Sequence, residues 1–193
     1  MNERTSLISK NEQDLQKDLM HSIITDNIEY AYDWFIDAKE RLLDVNKWSK
    51  YSSLANVNFS LADHHGKALS RHARKGDFIS INILRQDSRE DKSCRIAIEA
   101  IEYDDYPDID METFAMFIRP SLEPRQIKAE MAHFSKNIAI GAIIIERRGK
   151  HLTGSYHRHG GPENTTTLFD KWPNISDRQV HDLIRGFIED RSI

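Results

Sequence analysis

"IAIGAIIIERRGKHLTGSYHRHGG", from Ile138 to Gly161, is the stretch on which the fold turns. Its first arm, Ile138 to Ile145, is a run of apolar, mostly β-branched residues, which predicts a buried strand. Glu146-Arg147-Arg148-Gly149 then reads as a hairpin turn. In the returning arm Leu152, Gly154 and Tyr156 alternate with Thr153, Ser155 and the histidines at 151, 157 and 159. Alternation at period two places Leu152, Gly154 and Tyr156 on the core side and the three histidines together on the other. Strands joined this closely must be antiparallel, because parallel neighbours need a crossover of about a dozen residues or more.

Upstream, the period is two again. Val57, Phe59 and Leu61 alternate with Asn58 and Ser60, and Asp63-His64-His65-Gly66 ends that strand as a turn. Gly76-Asp77 opens a strand with Ile79, Ile81 and Ile83 on one face. Cys94, Ile96, Ile98 and Ala100 form the apolar face of the next strand, and Tyr103 to Asp108 a polar connection. Met111 to Ile118 is apolar on both faces, which predicts a central strand. Residues 120–136 read as helical after Pro124, with Ile127, Met131 and Phe134 in register.

Helices flank the strands. Asp26 and Glu29 have capping-box spacing, and Ile28, Ala31, Tyr32, Phe35, Ala38, Leu42 and Val45 form one apolar stripe behind them. At the other end Ser176 and Gln179 form a second capping box ahead of Val180, Leu183, Ile184, Phe187 and Ile188. The expected architecture is α+β: a curved antiparallel sheet of about six strands with a long N-terminal helix and a C-terminal helix packed on it. Residues 1–25 read as a polar N-terminal arm without a good strand, and 26–193 as a single domain.

Composition narrows the class. The net charge of -4 is spread along the chain with no basic block, so nothing points to nucleic acid. Cys94 is the only cysteine, so no internal disulfide forms. The first residues lack a signal-peptide core, and the longest apolar run is far too short to span a bilayer. A cytoplasmic protein without a membrane span is the expectation.

The order of elements resembles the helix-grip fold of the START and polyketide-cyclase-like superfamily. "FSLADHHG" (59–66) followed by a glycine-led strand, and the capped terminal helix, carry the likeness over residues 26–190. The resemblance implies a curved sheet wrapped around the C-terminal helix, and between them a cavity for an apolar or amphipathic ligand. Two features depart from it: no strand is evident before the first helix, and a helix interrupts the fourth and fifth strands. The segments "VNKW" (45–48), "AHF" (132–134) and "ERRGKHLTGSYH" (146–157) also resemble bacterial proteins of no assigned activity, which implies no function.

The histidines allow a metal reading. Imidazole suits zinc, copper, nickel or ferrous iron, and two histidines at i, i+2 on a strand can share an ion. His157, His159 and Glu163 are the candidate ligands, and they resemble the first metal motif of cupins. The rest of that pattern is missing: His151 and Asp170 stand where its glycines belong, and no second histidine motif follows. The competing reading makes the histidine side the solvated face of the sheet. His64 and His65 read as surface turn residues, and the aspartates at 104, 105, 108 and 110 as a solvated connection rather than a calcium loop.

No nucleophile elbow, P-loop or dinucleotide fingerprint is present. The favoured reading is a protein that binds a small hydrophobic or amphipathic molecule without a cofactor. Phe59, Ile81, Phe117, Tyr156 and Phe187 are its candidate wall residues. The alternatives are an enzyme using a divalent transition metal at His157, His159 and Glu163, and an interaction module docking through residues 1–25.

Overall fold

A computed structural model describes residues 19–51, 57–83, 92–121, 141–158 and 176–189. The elements are β1 (Leu19–Ile24), α1 (Ile28–Leu43), a 3-10 turn (Val45–Lys47), α2 (Trp48–Tyr51), β2 (Val57–Ala62), β3 (Phe78–Ile83), β4 (Lys92–Tyr106), β5 (Met111–Ser121), β6 (Gly141–Arg148), β7 (His151–Arg158) and α3 (Asp177–Ile188). The seven strands form one curled antiparallel sheet in the order β1-β7-β6-β5-β4-β3-β2.

The opening hairpin forms with its expected faces. Leu152, Gly154 and Tyr156 are buried, and His151 is exposed. Its turn is tighter than expected. The strands run on to Arg148 and from His151, so Gly149 and Lys150 alone turn the chain, with Gly149 at φ 56. Arg147, expected in the turn, pairs with Leu152 inside the ladder and is buried.

The strand missing from the sequence reading is β1. It pairs along β7 from Leu19↔Tyr156 to Ile24↔His151, so residues 19–24 belong to the sheet and not to a polar arm. Leu19, His21 and Ile23 turn towards the helices; Met20, Ser22 and Ile24 face solvent. The period was hidden because two outward positions are apolar and one inward position is histidine.

A bulge in β4 corrects a second expectation. The register with β5 shifts between Ile98 and Ala100, so Glu99 is the extra residue. Ile96 and Ile98 face the core, whereas Ala100 packs on the opposite face with Ala115, Phe117 and Ala142. Past the bulge β4 continues through Tyr106, so most of the expected polar connection is strand; only a 3-10 turn at Pro107–Ile109 and a left-handed Asp110 separate it from β5. Glu99 accepts from the Nε of Arg119 at 2.8 Å.

The helices lie on one face. α1 starts at an Asn27 cap, whose Oδ1 accepts the Tyr30 N–H at 2.8 Å, one residue later than expected. Ala31, Phe35, Ala38 and Leu42 are buried along it, and Ile28 and Tyr32 stay exposed on its flank. The Ser176–Gln179 capping box of α3 forms as expected. α1 packs on β6 and β7, α3 on β7 and β1, and α2 with its 3-10 turn on β2. The expected helix at 124–136 and the strand residues 138–140 lie outside the described residues.

Candidate functional site

Two glycines let α3 approach closely. A Cβ on Gly154 of β7 would meet the Ile184 and Ile188 side chains at 3.0 and 3.2 Å, so the missing side chain is what seats the helix on the sheet. A Cβ on Gly186 would overlap the carbonyl of Tyr51, which locks α3 against α2. Trp48 then fills the corner between them. Its ring stands edge-on to Phe59 at 5.4 Å and to Phe187 at 5.3 Å, and its Nε1 donates to the Leu42 carbonyl at 3.1 Å.

Four of the five candidate wall residues meet on this inner face. Phe59, Ile81, Tyr156 and Phe187 belong to one buried apolar cluster. Phe117 does not join them. It sits at an outward position of β5, opposite Ala142 of β6, and packs with Ala100, Ala115 and Ile144. Phe114, Met116 and Ile118 hold the inward positions instead, a choice of face that the doubly apolar strand left open. The floor of the sheet's middle is apolar throughout: Ile79, Ile81, Ile96, Ile98, Met116 and Ile118 all point inward.

The histidine side is only partly wet. His151 is exposed, His157 is half-buried with its Nε2 2.8 Å from Ser155 Oγ, and Ser155 is buried. His159 and Glu163 lie outside the described residues, and among the described residues no three His, Cys, Asp or Glu side chains are placed to hold a metal ion. His64 and His65 are exposed in the expected turn, where Asp63 accepts the His65 and Lys67 N–H groups at 2.9 Å. Those backbone bonds, Lys67's first, hold the Asp63 carboxyl below the usual range.

Sequence reading missed two polar clusters. At one end of the inner face, Glu112 accepts the Tyr103 hydroxyl at 2.6 Å and the Arg147 Nε at 2.8 Å, and Arg147 also reaches Asp110 at 2.9 Å. Burial alone would weaken the Arg147 charge, but the bonds to Glu112 and Asp110 outweigh it and raise its pKa. The bond to Glu112, with burial, pushes the Tyr103 hydroxyl up to about 12. Lys39 of α1 places its ammonium 4.5 Å from the Tyr103 ring centre. The signal was available: Glu112 and Arg147 interrupt otherwise apolar inward rows.

The second cluster ties β1 to the end of α3. His21 Nε2 lies 2.7 Å from Glu189 Oε1, Arg185 donates to the same carboxylate at 2.6 Å, and Arg41 donates to the carbonyls of Phe187 and Glu189 at 3.2 Å. Burial would raise the Glu189 pKa, but the Arg185 and His21 bonds hold it below the usual value. Beside this cluster an open depression of about 440 Å³ is lined by Ile23, Ile24, Thr25, Asp26, Tyr30, Trp34 and Glu189.

A strand precedes the helices, the strands follow one another round a curled antiparallel sheet, and a capped terminal helix lies in its concavity. The fold is a helix grip. No protein-family profile matches the chain, and no curated protein matches it. Among solved structures it is similar to the di-domain ARO/CYC StfQ from the steffimycin biosynthetic pathway, at 12% identity and a TM-score of 0.41 over 93% of this chain. This chain spans about half of that one, 52%. It is also similar to major latex-like protein 151 (GLP) from Panax ginseng, at 11% identity and a TM-score of 0.39 over 90% of this chain and 93% of that one. Ara h 8.0201 has 8% identity and a TM-score of 0.39 over 90% of this chain and 97% of that one. The strand order and helix placement, not these likenesses, carry the fold.

Proposed function

We propose that the protein binds a small apolar or amphipathic molecule on the inner face of its sheet, without catalysis. One observation carries this reading. The described helices pack mainly on the flanking strands β1, β2, β6 and β7, while the middle strands β3 to β5 carry an inward apolar floor of Ile79, Ile81, Ile96, Ile98, Met116 and Ile118, all of them buried. A concave surface with apolar walls and few polar groups is the ordinary chemistry of a ligand pocket. Phe59, Tyr156 and Phe187 belong to the same buried cluster, so a ligand on this floor would meet the aromatic corner that Trp48 occupies. The Cys94 thiol is pushed up to about 11 by burial, which makes it a poor nucleophile and fits a reading without catalysis. Among the described residues no helix is long and apolar enough to cross a membrane.

Native mass spectrometry of untagged protein tests the reading, together with titration by the apolar dye 1-anilinonaphthalene-8-sulfonate. We expect either a co-purifying small molecule or saturable dye binding at one site, lost in Ile81→Glu variants that remain folded. A folded protein with neither adduct nor saturable binding overturns the proposal. Elemental analysis of the same sample decides the alternative at His157, His159 and Glu163: a stoichiometric transition metal would favour it.

A further inference from the structure

The two edges of the sheet are finished differently. On β2 four of the outward backbone groups are occupied by the chain itself. Ser49 Oγ donates to the Val57 carbonyl at 2.9 Å and accepts the Phe59 N–H at 3.4 Å; Asn46 Oδ1 accepts the Leu61 N–H at 3.0 Å; and the Leu69 N–H donates to the Leu61 carbonyl at 2.8 Å. An edge closed in this way cannot accept another strand.

β1, the other edge, has no such cover among the described residues. The Thr25 N–H donates to the Lys150 carbonyl at 3.0 Å, which sets the phase of the β1–β7 ladder. Residues 19, 21, 23 and 25 therefore direct their backbone groups to β7, and Met20, Ser22 and Ile24 direct theirs away from the sheet. The side chains of the same three residues lie on the solvent face, with Met20 62% and Ile24 70% exposed. The strand, LMHSII, contains none of the lysines, prolines or bulges that keep edges apart.

We propose that β1 pairs with β1 of a second copy, antiparallel about a two-fold axis at Ser22, joining two sheets into one. This register is self-complementary. It sets Ser22 opposite Ser22 of the partner subunit and each Met20 opposite an Ile24, so all outward backbone groups of the three residues are satisfied. It also places the most exposed apolar side chains of the edge side by side, in direct cross-strand pairs. The axis runs through the sheet, so the helices of both copies stay on one side. α3 rides on β1 and β7. With strands about 4.8 Å apart, the two α3 helices come to about 10 Å from each other, an ordinary packing distance. The depression beside Ile23, Ile24, Tyr30 and Trp34 opens at the same edge.

Sedimentation velocity of the full chain over a wide concentration range tests the pairing. We expect a species of twice 22.5 kDa, and only monomer for the double variant Met20→Lys/Ile24→Lys, whose circular dichroism should match the parent because both positions are exposed. Cysteine placement tests the register independently. Facing Ser22 Cα atoms would lie about 5.5 Å apart, within disulfide reach, whereas Met20 lies about 14 Å from Met20 of the partner subunit. Ser22→Cys should thus oxidise to a covalent dimer and Met20→Cys should not. A parent that stays monomeric overturns the proposal, as would happen if other residues of the same chain covered β1. A dimer that survives the lysine pair in folded protein, or cross-links as readily from Met20→Cys, also overturns it. If the lysine pair fails to fold, the two cysteine variants decide the matter.

Discussion

The inner face holds two regions of opposite chemistry, one fully buried and one with a buried ion pair, Glu112 and Arg147, under a more exposed Tyr103 and Asp110. Around Trp48, Phe187, Gly186 and Gly154 the helices are held chiefly by shape. At the other end Tyr103, Glu112, Arg147 and Asp110 are held by charge and hydrogen bonds. The first region loses stability in proportion to what is removed. The second loses most when one partner is removed and little when both are, because the penalty lies in the buried charge left behind.

Phe187→Ala should have the largest effect. Phe187 is fully buried against Trp48, and its truncation should cost about 3–5 kcal/mol in urea unfolding. A loss under about 1 kcal/mol would mean that the corner is already loose. Gly186→Ala comes next, at about 3 kcal/mol, because the new methyl would strike the Tyr51 backbone, which cannot rotate aside as a side chain can. An unchanged urea midpoint would show that α2 is free to move.

In the polar region Arg147→Met alone should cost about 3 kcal/mol, since it strands the Glu112 carboxylate at 6% exposure. The double variant Glu112→Leu/Arg147→Met should recover most of that loss. A double variant as unstable as the single one would show that the two regions obey the same rule after all.

The smallest effect is in alkaline solution. The folded chain keeps the Tyr103 proton up to about 12, above the ordinary value of 10.0. Between those values the folded state binds more protons than the unfolded one, so this stabilisation is whole below pH 10.0 and drains away as pH rises towards about 12. Burial also pushes the Tyr51 hydroxyl up, so ultraviolet titration should show late-ionising tyrosine absorbance that is reduced, not abolished, in Tyr103→Phe; identical titrations would remove the Glu112 bond from the account.

These two regions were not equally legible. The apolar one was written in periods: Leu152, Gly154 and Tyr156 on β7, Val57, Phe59 and Leu61 on β2, Ile79 and Ile81 on β3, and the capped stripe of α3 all fell where alternation and capping placed them. The ionic one was only half legible: Glu112 and Arg147 interrupt apolar inward rows, but Tyr103, Glu112 and Arg147 come from three strands and nothing local to each says which neighbour it meets. Phe117 failed for another reason. A strand apolar on both faces carries no sign of which face is inward, and the neighbouring bulge at Glu99 inverts the parity of β4. The metal candidates fared differently again: His157 is placed beside Ser155, and His159 and Glu163 lie outside the described residues.

By itself the sequence determined the α+β class, the antiparallel hairpins and the helices at each end, since period, turn chemistry and caps are short-range properties of the chain. Only the tertiary structure decided that residues 19–24 are the seventh strand, which face Phe117 takes, and that Arg147 meets Glu112 inside the protein. Each of these depends on residues far apart in the chain. LMHSII becomes a strand because β7 offers it a free ladder and α3 a surface for Leu19 and Ile23, a gain in pairing and burial that no local pattern records.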